Sequence, residues 1–249
     1  MKKDFLFSMG LLIALFTLFS CGGGKDDGDE KKRELPENPI NGHEYVDLGL
    51  PSGTLWAMCN VGATKPEEFG GYYAWGETEE KTDYSLENYK WCDGDEYSKT
   101  KYCTDRYFGK VDNITILDPQ DDVAHVKWGG SWRMPTIAEQ NELLHECTWV
   151  WTTRRGVEGY RVIGSNGNSI FLPAADGRYG TVPDDNGKNA MTINEAVVAH
   201  VVVSTGCYWS RSLHGYSSNN AYILYIDRYD HVWDFDQRYV GHMVRPVCD

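Results

Sequence analysis

The sequence is short of positive charge. Its 24 Lys and Arg stand against 37 Asp and Glu, a formal net charge of −13 over 249 residues. A chain with that balance repels phosphate backbones and anionic membrane surfaces, which argues against nucleic acid as a partner. It also lacks the short motifs of common chemistry: no G-x-S-x-G, no H-E-x-x-H and no P-loop. No cysteine pair has C-x-x-C spacing, which argues against a structural zinc. The seven histidines (His43, His125, His145, His200, His214, His231 and His242) are scattered, and each reads as exposed or structurally bonded rather than catalytic. There is no internal repeat and no second linker, and only one apolar run, at the N-terminus, is long enough to bear on targeting.

What is present is a globular composition, with 41% hydrophobic, 13% aromatic and 24% charged residues. Nine Trp, 16 Tyr and 8 Phe against 26 Gly suggest many short strands joined by glycine turns. Residues 1–20 have a basic start followed by an uncharged run from Phe5 to Ser20, which predicts a signal peptide. Leu18-Phe19-Ser20-Cys21 resembles a bacterial lipobox, which predicts cleavage before Cys21, its acylation, and anchoring by lipid alone. Residues 21–42 read as a flexible acidic tether, either a plain solvated spacer or a surface-export signal. The folded domain is predicted over 43–249 as one unit. Its six cysteines could form disulfides outside the cytoplasm, with Cys92–Cys103 closing a local loop and Cys59–Cys147 and Cys207–Cys248 remaining.

Helix signals are few. Asp118-Pro119 suits an N-cap followed by proline at the first helical position. Thr136-Ile137-Ala138-Glu139 is a capping-box pattern that opens a helix running to about Cys147. Residues 159–163 and 169–172 flank turn chemistry and predict a hairpin. Segments 207–212, 221–227, 232–235 and 240–247 predict an antiparallel meander. Residues 173–206 read as a long loop with one strand inside it, at 197–203.

Several motifs occur in a recognisable order: Val46 to Ala57 (VDLGLPSGTLWA), Cys59 to Ala63 (CNVGA), Gly70 to Thr78 (GGYYAWGET), Gly129 to Thr136 (GGSWRMPT), Ser169 to Ala175 (SIFLPAA), Tyr208-Trp209-Ser210, and Gly241 to Val247. Together they resemble the Fibrobacter succinogenes major paralogous domain, a family common on lipoproteins of Bacteroidetes. The resemblance implies an α+β, C-type-lectin-like fold: two helices, twisted antiparallel sheets and a long loop region. That fold is distantly shared with sulfatase-modifying enzymes, whose Gly-Gly-Ser-Trp element Gly129 to Trp132 resembles. Cys207 and Cys248 do not match the cysteine arrangement of those enzymes. The family has no established common activity, so its fold fixes no function.

Lectins of this fold often hold sugars on calcium, through E-P-N or Q-P-D and W-N-D elements that this chain lacks. No cofactor is therefore predicted, although Asp184, Asp185 and Asn186, or Trp233-Asp234 with Asp236, leave calcium open beside a merely solvated acidic loop. Exposed rings offer another route to glycans, because the apolar face of a sugar stacks on them. The candidates are Tyr208, Trp209, Tyr229, Trp233 and Tyr239, with Arg211, Asn219 and Asn220 as polar neighbours, whereas Trp56, Trp75, Trp132 and Trp209 sit in the motifs and suit the core. The predicted binding face is Asp184, Asp185 and Asn186 on the loop, with Arg211 and Trp233 on the meander. The expected protein is thus a non-catalytic, cell-surface lipoprotein of the outer membrane that binds an extracellular glycan. A surface protein partner, as in an adhesin or fimbrial component, is the alternative, and a sulfatase-modifying-like enzyme is a lesser one.

Overall fold

The computed structural model describes residues 34–181 and 204–249. Its compact unit runs over Pro36–Asp249. Tyr45 Oη donates to Pro36 O at 2.6 Å and Trp132 Nε1 to Ile40 O at 3.0 Å. Both rings are buried, so each needs an internal acceptor for its polar atom, and residues 36–42 supply them.

The architecture is mixed α+β, with two α-helices and several small antiparallel sheets. Strands β1 (Tyr45–Asp47) and β2 (Leu55–Ala57) pair with each other, and β11 (Val247–Cys248) pairs with β2. Strand β3 (Asp83–Tyr84) pairs with β7 (Gly180–Thr181). Strands β4 (Thr148–Arg154), β5 (Val157–Ile163) and β6 (Ser169–Pro173) form a sheet that contains the predicted hairpin. Strands β8 (Gly206–Leu213), β9 (Asn220–Ile226) and β10 (His231–Gln237) form the meander, with β10 as an outer strand.

Helix α2 (Ile137–Glu146) begins where the capping box predicts: Thr136 accepts from the Glu139 amide, and Glu139 accepts from the Thr136 amide. Asp118 is the N-cap of a helical turn that begins at Pro119, as predicted, though without a side-chain cap bond. Helix α1 (Val123–Trp128) is a separate element that follows it. Residues 119–121 make a single 3-10 turn, and the cap of α1 is Asp122, whose carboxylate accepts from the amides of Ala124 and His125.

The segment 240–247 is not a fourth meander strand. It crosses the interior through isolated bridges to Tyr73, Arg178 and Cys207–Tyr208 and joins β2 only at its end. Val240, Met243 and Val244 are buried along it, which accounts for its strand-like composition. The predicted disulfides do not form. Cys59, Cys92, Cys103, Cys147 and Cys207 are free thiols, and Cys92 and Cys103 turn their Sγ atoms onto the carbonyls of Leu86 and Asp105, each at 3.1 Å.

The meander separates two cores. Trp209, Ala221 and Ile223 pack with Trp75 and Trp132 on one side, and Tyr208, Leu224 and Ile226 pack with Leu143, Val162 and Leu172 on the other. The four motif tryptophans are all buried, and cutting one to alanine costs about 3–5 kcal/mol. Gly70 has φ +75°, and a Cβ there would collide with the carbonyl of Val61, so the Gly-Gly motif is fixed by a close backbone approach.

Candidate functional site

The site is built on β10. The turn that feeds it is held by Asp227, whose Oδ1 accepts from the amides of Tyr229 and Asp230, each at 2.7 Å. From there β10 pairs with β9 over its full length and sets Trp233 opposite Leu224 and Phe235 opposite Tyr222. Leu224 is buried, but the outer strand overhangs the core, so Trp233 stays 51% exposed. Its indole meets the Tyr222 ring edge-on, with centroids 5.9 Å apart. Ile137, Ala138 and Asn141, on the first turns of α2, close the other side of a depression of about 270 Å³.

Rings continue along β10 in both directions. Towards its end, Phe235 packs on His214 at 4.4 Å, and His214 meets Tyr222 at 5.0 Å. Towards its start, His231 stacks on Trp149 at 4.7 Å with an interplanar angle of 19°. Burial lowers the pKa of both His214 and His231, which favours neutral imidazoles. The result is an uncharged aromatic surface on an acidic protein. It can stack apolar ring faces, while Asn141 offers an amide to hydroxyls.

The open edge of β10 is partly blocked by its own carboxylates. The amides of His231, Phe235 and Gln237 alternate along the strand and so share one side. They donate to the carboxylates of Asp230, Asp234 and Asp236, at 2.8, 2.9 and 2.7 Å. A further strand would have to displace those carboxylates.

Of the predicted site residues, Trp233 is the one that lies on this surface. Arg211 is turned away from it: Nη2 donates to Leu117 O at 2.6 Å, and Nε lies 3.8 Å from the carboxylate of Asp122. Arg211 therefore braces the start of α1. Tyr208 and Trp209 are buried core residues rather than platforms, because both faces of β8 are covered. Asn219, Asn220 and Tyr239 line a different cavity. Cys21, Asp184, Asp185, Asn186 and the strand predicted at 197–203 lie outside the described residues. Asp234 and Asp236 are occupied by hydrogen bonds, and no group of three or more acidic, His or Cys side chains suited to a metal occurs among the described residues.

Tyr222, Ile137 and Asn141 escaped the sequence reading as partners of Trp233. The capping box located α2 but carried no sign that its first turns stand beside β10.

Cys207 is not activated. Burial raises its pKa, and the carboxylates of Asp236, Asp234 and Asp176 raise it further, so it stays a protonated thiol. A scan against protein-family models found no match to the chain, and searches of curated proteins and of solved structures found none either.

Proposed function

We propose that the protein is a non-catalytic extracellular binding module that takes glycan on the Trp233 surface. The observation that carries this reading is the half-exposed indole of Trp233, backed by Tyr222 and flanked by Asn141 in an open depression. An open ring with a polar neighbour suits a sugar face and its hydroxyls. A protein partner that adds a strand is disfavoured, because three edge amides of β10, those of His231, Phe235 and Gln237, are already bonded to Asp230, Asp234 and Asp236. The protonated state of Cys207 speaks against a cysteine-based enzyme.

The C-type-lectin-like assignment and membership of the Fibrobacter succinogenes major paralogous domain family belong to the same proposal, resting on the ordered motifs from Val46 to Val247. So do lipidation of Cys21 and placement on the outer membrane, resting on the lipobox-like segment. A glycan array probed with the protein tests the binding reading. Retention on a defined set of sugars, lost when Trp233 is changed to alanine, is the expected result. Uniform absence of binding across the array would contradict it.

A further inference from the structure

A second cavity, of about 430 Å³, lies between the 86–99 loop and the turn before β9, and it shares no residue with the Trp233 depression. Two cations stand in its wall. Lys99 is 2% exposed and Arg238 is 0% exposed. Neither forms an ion pair among the described residues.

Arg238 is bonded to neutral oxygens: Tyr89 Oη at 2.9 Å, Ser218 O at 2.8 Å, Lys101 O at 3.0 Å and Tyr102 O at 3.1 Å. Arg245, equally buried, is satisfied in the same way by Asn60, Ala57, Met58 and Phe171. The fold therefore can satisfy a buried guanidinium without a counter-ion. Lys99 is treated differently. Among the described residues its Nζ has one bond, to Glu96 O at 3.2 Å. An ammonium carries three N–H and a guanidinium five, so Lys99 keeps two donors unused and Arg238 one. A buried cation left this way is costly unless something pairs with it. The chain has 37 carboxylates, yet sets none against Lys99 within ion-pair distance among the described residues. The wall also contains an unused acceptor, Asn219 Oδ1, which is buried without a partner among the described residues.

Glu96 also lines the cavity, but its carboxylate forms no ion pair with Lys99 or Arg238 among the described residues. Counted among the described residues, three spare donors on the two buried cations and the spare acceptor of Asn219 suit a ligand with an anionic group held on the cation side and at least one hydroxyl. The volume lies within the range of about 300–1,000 Å³ typical of small-molecule sites. We propose that this cavity binds a hydroxylated carboxylate the size of one sugar-acid residue, with the carboxylate on Lys99, a hydroxyl on Asn219 and an apolar face against Tyr239. The site stands without the Trp233 reading, since a failure of either surface leaves the other untouched.

Calorimetric titration with D-galacturonate, N-acetylneuraminate, trigalacturonate and neutral D-galactose tests it. At least one acid should bind saturably, and at least tenfold more tightly than galactose. Tighter binding of trigalacturonate than of galacturonate would assign the end of an acidic glycan, and equal binding a free sugar acid. Lys99→Met, with an apolar side chain of similar length, should fold with an unchanged or higher Tm and lose acid binding at least tenfold. Should that variant not fold, Asn219→Asp should lose acid binding by repulsion. Galactose binding as tightly as the acids, no acid binding at all, or acid binding retained in the folded variant would overturn the proposal.

Discussion

Asp236 ties together the half-buried Tyr179 and the buried His242. Tyr179 Oη donates to its Oδ2 at 2.6 Å, and His242 Nε2 lies 2.9 Å from the same oxygen. Burial alone would push this carboxyl up, but the bonds from His242 and Tyr179 outweigh it and hold its pKa below the usual carboxylate range. Asp112, Asp121 and Glu139 are lowered in the same direction, each against the opposing effect of burial, by backbone amides, by Lys101 and by Arg133 respectively. A carboxyl with a depressed folded pKa contributes stability that is present above its unfolded pKa, near 4, and is lost as pH falls through the folded value. Asp122 runs the other way, because burial raises its pKa and its ionised form is costly above that value. Glu68 is lowered too, by its bonds from Thr64. With five carboxyls lowered against one raised among the described residues, Tm should hold from pH 7 to about 5 and fall below about pH 4. Asp236→Asn should lower Tm at pH 7 and flatten that acid fall. A wild-type Tm unchanged down to about pH 2 would contradict this account of the bonded carboxylates.

At the scale of elements, α2 matters most to the site because its first turns form one wall of the Trp233 depression. Its start is fixed by Thr136, so Thr136→Ala should cost about 0.5–2 kcal/mol of stability, read by denaturant unfolding. An unchanged unfolding midpoint would show that the helix start is held by Glu139 and Arg133 instead, which are joined at 2.6 Å. This helix was legible in the sequence because its signal is local, with cap and reply three residues apart. The hairpin of β5 and β6 and the meander strands were legible for the same reason, since each pairs with its neighbour in the chain. Segment 240–247 was not, because its partners at Tyr73, Arg178 and Cys207–Tyr208 lie far away in sequence and its apolar residues look like those of a strand.

Across the whole molecule, the meander separates two aromatic-rich cores, and its outermost strand overhangs them to present rings outward. Trp233 could be picked out from the sequence because it lies among charges, unlike the tryptophans of the glycine-rich motifs. Its surroundings could not, since Asn141 and Trp233 are brought together only by the packing of α2 on the meander. Lys99 was invisible for a related reason: nothing local distinguishes a buried lysine from a solvated one. The central claim is that Trp233 binds and does not hold the fold together. It is tested most directly by measuring Tm and affinity for an array-identified glycan on Trp233→Ala. The account predicts a Tm within a few degrees of wild type and an affinity loss of roughly tenfold or more. A loss of about 3–5 kcal/mol in stability, as for a buried tryptophan, or an affinity left unchanged, would contradict it.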